Sequence, residues 1–151
     1  MTKTLIRHAI TTDFDFLLEI DEASFPRGVA YDAAELSYFM SRVGAETIVA
    51  EINGTIVAFL IMEVHRNHRT ATIVTLDVRQ SERRCGLGSQ LLKRSEEILA
   101  DYGVEAYDLQ VDVTNEAAVR FYKKHGFKGV RTLRNYYANG NDAYLMVKDL
   151  M

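Results

Sequence analysis

Cysteine and proline are almost missing from this chain, and no hydrophobic run approaches the length of a membrane span. Cys85 is the only cysteine and Pro26 the only proline. A lone cysteine cannot form an intrachain disulfide, so nothing demands an oxidising compartment. Neither sign of charge dominates: the net charge is −3, with a sequence pI near 5.8. That balance leaves no basic face for nucleic acid. The opening residues Met1 to Leu5 lack the apolar run of a signal peptide, and no repeat, linker or low-complexity tract interrupts the rest of the chain. The remaining composition is ordinary for a globular protein, 48% apolar and 26% charged over 151 residues. That length is enough to bury a core within one domain. The expectation is a single cytoplasmic domain over residues 1–151, without a membrane or nucleic-acid partner.

The chain is organised around Arg83-Arg84-Cys85-Gly86-Leu87-Gly88-Ser89. Ahead of it, residues 71–78 are a β-branched run that reads as a strand. Behind it, Leu87, Leu91, Leu92, Ser95, Ile98, Leu99 and Tyr102 recur at helical spacing. Two glycines and two arginines thus occupy the turn between a strand and a helix. The first helical turn has N–H groups without partners, and its dipole favours negative charge. Glycines without Cβ let an anion approach that main chain closely. This is a phosphate-holding arrangement. It is not a P-loop, since no G-K-[ST] follows, and Leu91 stands where a dinucleotide fingerprint needs its third glycine.

Elsewhere the pattern predicts a first strand over 5–9. Two helices come next, one capped by Thr12 with Phe14, Phe16, Leu17, Leu18, Ile20 and Ala23 on its buried face. The second opens on an Asp32/Glu35 capping box and runs through Val43. Asn53-Gly54 joins two apolar runs as a hairpin. His65-Arg66-Asn67-His68-Arg69 reads as an exposed polar turn; with no further ligand nearby, its His-x-x-His spacing predicts no metal site. In the strand over 106–113, Asp108, Gln110 and Asp112 alternate to one face, which must therefore meet water or a ligand. Asn115 caps a short helix carrying Ala118, Phe121, Tyr122 and His125, and Gly126 stops it. A closing strand pair over 128–137 and 142–148 completes the order β-α-α-β-β-β-α-β-α-β-β.

The R-x-x-G-x-G pattern, entered from Leu76-Asp77-Val78, resembles the acyl-CoA-binding motif of the GNAT acetyltransferase superfamily. Leu109 to Asn115, then Ala118, Phe121-Tyr122 and Gly126-Phe127, resemble a block of RimI-like protein N-terminal acetyltransferases. Arg134-Asn135-Tyr136-Tyr137 and Asp142 to Met146 resemble the tail of that subgroup, and Phe25-Pro26 has a counterpart there. The resemblance covers residues 3–149. It implies an α/β (α+β) fold with a mixed, mostly antiparallel sheet of about seven strands flanked by four helices. It implies direct attack of an amine on acetyl-CoA, with no metal.

On this resemblance, Leu76, Asp77 and Val78 pair with the pantetheine arm, and Arg83, Arg84, Cys85, Gly86, Leu87, Gly88 and Ser89 take the pyrophosphate. Asn115 bonds the cofactor arm and Tyr122 protonates the leaving thiolate. Gln110 stands where the subgroup carries a catalytic glutamate, and an amide cannot accept the ammonium proton. Asp112 or Asp108, two residues away on the same strand face and about 7 Å along it, acts through a water, or Gln110 orients one. A third account needs no strong base, because an α-amine with a pKa of about 7.7–8.0 is already partly neutral. Cys85 lacks a histidine partner for nucleophilic chemistry. Phe25, Pro26, Tyr31, Tyr136 and Tyr137 would frame the acceptor, a protein N-terminus with ribosomal proteins among the candidates. The competing readings are a small-amine acetyltransferase and a CoA-binding module without turnover. Both monomer and homodimer remain open.

Overall fold

The structure, a computed structural model, describes residues 3–151; Met1 and Thr2, part of the opening stretch and of the expected domain span, lie outside the described residues. Its elements are β1 (Thr4–His8), α1 (Phe14–Ser24), α2 (Ala33–Ser41), β2 (Ala45–Ile52), β3 (Thr55–His65), β4 (Thr70–Val78), α3 (Leu87–Asp101), β5 (Ala106–Asp112), α4 (Glu116–Lys124), β6 (Lys128–Leu133) and β7 (Ala143–Asp149). The seven strands form one sheet in the order β1-β2-β3-β4-β5-β7-β6. Only β4 and β5 run parallel. The expected element order and mixed sheet are both present.

The two faces of the sheet bury separate cores. Leu87, Leu91, Leu99, Val119 and Tyr122 of α3 and α4 pack on Ala58, Leu60 and Met62 of β3 and on Leu109 of β5. On the other face, Leu17, Ile20 and Leu36 of α1 and α2 meet Val49, Phe59 and Ile61. Local chemistry explains several boundaries. Asn53 and Gly54 both have positive φ, 52° and 81°, the backbone that a two-residue hairpin turn requires. Asp32 accepts the Glu35 N–H at 2.8 Å while Glu35 accepts the Asp32 N–H at 3.1 Å, closing the expected capping box.

Other boundaries differ from the sequence reading. Thr12 does not cap α1; Asp13 turns back to accept the Ile10 N–H and the Arg7 guanidinium, each at 2.8 Å. The buried stripe of α1 is Leu17, Ile20 and Asp21, whereas Phe16 is exposed. Val43 lies beyond α2 and is 97% exposed. The closing pair is shorter than expected: β6 ends at Leu133, so Tyr136 and Tyr137 sit in a loop rather than a strand.

One irregularity positions the site. β4 pairs with β5 from Thr70↔Ala106 only as far as Ile73↔Leu109. There β4 carries a bulge: β3 partners step from Ile73 to Thr75, leaving Val74 unpaired. A bulge bends its strand and shifts which residues face each side. Ala71 and Ile73 face the α3/α4 core, and beyond the bulge Leu76 and Val78 do so, while Thr75 turns toward Asp21 of α1. Two parallel strands thus part midway, opening a cleft through the sheet.

Candidate active site

A cleft of about 870 Å³ fills this gap and reaches both faces of the sheet. It falls within the roughly 300–1,000 Å³ of small-molecule sites. At one end, Gly86 begins α3 in the left-handed conformation (φ 80°), and no side chain caps the helix. Gly86, Leu87, Gly88 and Ser89 line the cleft there beside Arg83 and Arg84. A Cβ on Gly88 would lie 3.2 Å from the Phe121 ring, so α3 and α4 converge closely at this point. Ser89 Oγ lies 2.8 Å from His125 Nε2. Uncapped amides, two guanidinium groups and an adjoining strand edge suit a pyrophosphate on a long arm.

At the other end, two loops meet over the cleft. The Ala138 N–H donates to Gly28 O at 3.2 Å, joining the α1–α2 loop to the β6–β7 loop. Phe25, Val29 and Tyr31 from the first loop and Tyr136 and Tyr137 from the second line the opening. Tyr136 and Tyr137 stack edge to face at 4.9 Å. Tyr31 reaches Val74 O at the bulge, 3.4 Å away. Aromatic rings with hydroxyl tips can hold a peptide by apolar contact and hydrogen bond together.

Between the ends stand Tyr122 and Gln110, both lining the cleft. Tyr122 is 7% exposed, and burial, with the nearby Asp77 and Tyr137, raises its phenol above the ordinary tyrosine range. It therefore keeps its proton at any working pH. Asp112 also lines the cleft, but its carboxylate is engaged: Thr114 donates to Oδ1 through its N–H and hydroxyl, and Asn141 Nδ2 donates to Oδ2 at 2.9 Å. Burial pushes its pKa up, yet these hydrogen bonds outweigh it and leave the carboxyl below its ordinary value. Asp108 accepts the Thr72 hydroxyl at 2.6 Å and lies outside the cleft lining.

Leu76, Asp77, Val78 and Asn115 line the cleft as well. Asn115 Oδ1 accepts the Ala118 N–H at 3.2 Å as a helix cap, which leaves its amide N–H₂ for other partners. Besides Asp108, two of the residues singled out by sequence are not lining residues. Cys85 is exposed on the outside of the turn, and Pro26 shapes its loop by accepting the Val29 and Ala30 N–H groups at 3.0 Å. Thr75 lines the cleft although the sequence reading passed over it; the signal was the shift of apolar phase from Ala71 and Ile73 to Leu76 and Val78, which marks the bulge that turns it. Asp21 was also missed; the signal for it was a charge four residues after Leu17, on the buried face of α1. Among the described residues, no cluster of three or more His, Cys, Asp or Glu could hold a metal ion, and no helix is long and apolar enough to cross a membrane.

A parted parallel strand pair with an uncapped helix start behind it has the form of an acyl-coenzyme-A site. The chain belongs to the acetyltransferase (GNAT) family, which it matches over residues 14–127. It is similar to the N-alpha-acetyltransferase of Sulfurisphaera tokodaii, with 32% identity covering 96% of this chain and 92% of that protein. Among solved structures it is similar to Ard1 from Thermoplasma volcanium (TM-score 0.89, 26% identity, 98% of both chains). The ribosomal-protein-S18-alanine N-acetyltransferase from Escherichia coli is similar too (TM-score 0.86, 26% identity, 98% of this chain and 94% of that one). The protein is an acetyl-CoA-dependent N-acetyltransferase.

Proposed function

We propose that this enzyme acetylates the N-terminal α-amine of proteins. One observation carries the reading: the acceptor mouth is built from two joined loops whose lining is aromatic, Phe25, Tyr31, Tyr136 and Tyr137. Such a mouth suits a peptide end better than a compact polar amine, and the names of the similar N-alpha-acetyltransferases agree with it. The similarity to the Escherichia coli enzyme makes ribosomal-protein N-termini sensible first acceptors.

When bound, acetyl-CoA supplies a thioester carbonyl activated for attack. The N–H groups of Leu87, Gly88 and Ser89, with Arg83 and Arg84, hold its pyrophosphate. The β4 edge at Leu76–Val78 and the Asn115 amide hold its arm. Tyr31, Tyr136 and Tyr137 hold the peptide main chain. Tyr122 donates its phenolic proton to the departing sulfur. A phenol is a weak acid for this task, and positioning at the cleft centre compensates. Gln110 presents a neutral amide to the amine, and Asp112 holds the acceptor loop rather than taking a proton. An α-amine, partly neutral near pH 7.7–8.0, needs less help than a lysine near about 10.4.

The test is thiol release from acetyl-CoA with a panel of N-terminal peptides, ribosomal ones included, against polyamines, amino acids and aminoglycosides. Mass spectrometry then locates the acetyl group. Acetylated peptide α-amines are the expected result; release with small amines alone would replace this acceptor. CoA binding with no release to any amine would leave a binding module.

A further inference from the structure

Three buried polar side chains under the acceptor side of the cleft have no part in the mechanism above. Beyond the Val74 bulge, Thr75 and Asp77 line the cleft from β4. The Thr75 hydroxyl makes a short hydrogen bond to Asp77 Oδ1 and lies 3.4 Å from Asp21 Oδ1 of α1. Asp21 is fixed in turn, because its Oδ2 accepts the Tyr31 N–H at 2.7 Å. Asp77 is 1% exposed, and its Oδ2 accepts no hydrogen bond among the described residues. Two carboxyl groups therefore share one hydroxyl at a buried position on the cleft wall. Like charges so placed disfavour ionising together, and burial with the neighbouring Asp21 pushes the Asp77 carboxyl toward its protonated form.

The other carboxyls of this sheet face are committed, Asp112 to Thr114 and Asn141 and Asp108 to Thr72. We propose that Thr75 takes the proton shed by the attacking amine and relays its own to the Asp21–Asp77 pair. The inference rests on the reading that the acceptor is an amine entering between the Tyr31 and Tyr137 loops. As the carbon–nitrogen bond forms and the carbon–sulfur bond breaks, nitrogen becomes strongly acidic. Its proton passes to Thr75 Oγ1, the Thr75 hydroxyl proton passes to the ionised carboxyl, and the pair goes from one negative charge to none. Sulfur keeps the bonding electrons and takes the Tyr122 proton. The pair later loses its added proton to solvent and the phenolate regains one, so the net transfer is from amine to thiol.

Thr75 is the group that touches substrate, whereas Asp77 and Asp21 are positioning residues acting through it. Asp77 is faced by Asp21 from α1, Thr75 from its own strand, Arg83 from the turn after β4, Tyr31 from the acceptor loop and Tyr122 from α4. Burial first, and Asp21 second, raise the Asp77 carboxyl well above its ordinary value, against the Thr75 hydrogen bond and the pull of Arg83.

Two measurements test the route. At saturating acetyl-CoA, Thr75→Val should lower kcat/KM for an N-terminal peptide by at least about tenfold, with most of the loss in kcat, and Thr75→Ser should recover most of it. The double variant Asp21→Asn/Asp77→Asn, with no charge left behind Thr75, should lose a similar factor. The second measurement needs no substrate. A carboxyl with a raised folded-state pKa stabilises the fold at low pH, and that contribution is lost as pH rises from about 4 through the raised value. The Tm of Asp77→Asn relative to the native chain should therefore climb with pH from about 4 upward. Thr75→Val within twofold of the native kcat/KM, or a Tm difference flat with pH, overturns the proposal. A native enzyme that acetylates only small amines overturns the peptide reading instead, and the Thr75→Val loss with that amine still judges the proton route.

Discussion

Asn141 Nδ2 donates to Asp112 Oδ2 at 2.9 Å, tying the loop that carries Tyr136 and Tyr137 to the end of the strand that carries Gln110. The opposite carboxylate oxygen receives Thr114, next to the Asn115 cap of α4. One carboxylate therefore holds together the β6–β7 loop, the proposed acceptor loop, and the turn that leads into α4. That explains why an aspartate on the polar face of β5 is buried.

Removing this tie should loosen the acceptor side more than the chemistry. Asp112→Ala is expected to raise the peptide KM several-fold with a smaller change in kcat, and to cost about 1–3 kcal/mol of stability through donors left unpaired. Asn141→Ala should repeat the KM effect with less loss of stability. The carboxyl is held below its ordinary value, so its contribution is present above a pH of about 4 and fades as pH falls through the lowered value. Thermal unfolding of Asp112→Ala and the native chain should thus converge in acid. Parallel curves down to low pH would remove the charge from this account.

Tyr122→Phe isolates the proton donor. The ring packs edge to face on Phe121 at 5.2 Å and on Phe127 at 5.5 Å, and phenylalanine keeps both contacts. We expect kcat to fall by about 10² or more while CoA affinity, measured by calorimetry, stays within twofold. Unchanged turnover with bound CoA would take Tyr122 out of the mechanism.

Gly28 of the α1–α2 loop and Gly54 of the β2–β3 hairpin separate contact from strain. Gly28 has φ 90°, and a Cβ there would lie 2.8 Å from both Cβ and N of Asn139. Gly54 has a similar φ of 81° with nothing within 4 Å. Gly54→Ala should cost only the left-handed backbone penalty, about 1–2 kcal/mol, and leave kinetics alone. Gly28→Ala should cost more and raise the peptide KM, because the Gly28–Ala138 bridge cannot close. Equal effects at both positions would mean that the loops do not need to touch.

The contrast between these positions also marks how much the sequence could disclose. The glycine–arginine turn ahead of α3 was legible because its residues are adjacent: Arg83 to Ser89 form one local unit, and the helix behind them is periodic. The hairpin at Asn53-Gly54 and the capping box at Asp32 were legible for the same reason. The bulge at Val74 did leave a mark that the sequence reading passed over, because the apolar phase shifts there from Ala71 and Ile73 to Leu76 and Val78; the turning of Thr75 toward Asp21, a residue of α1 far away in the chain, was hidden. The early end of β6 was hidden too. Residues 134–137 look like strand in composition, but Asn135 takes a positive φ of 52° and its N–H goes to the Asp142 carboxylate. Tertiary contacts, rather than propensity, decide both places.

The pairing of Ser89 with His125 gives a last handle, on the cofactor end alone. Burial first, then Lys124 and Lys148, hold the His125 pKa below its ordinary value, so the ring is neutral near pH 7. If Nε2 carries the ring proton, it donates to Ser89 Oγ, and the serine hydroxyl is then free to point its own hydrogen at a phosphate. Ser89→Ala should weaken CoA binding by about three- to tenfold, the worth of one such hydrogen bond of about 1 kcal/mol. His125→Ala should weaken it less, because Ser89 keeps its hydroxyl but loses its orientation. The double variant should lose no more than Ser89→Ala alone, since the histidine acts only through the serine. Calorimetry with CoA at pH 7 reads all three, and additive losses would show that His125 meets the cofactor by itself.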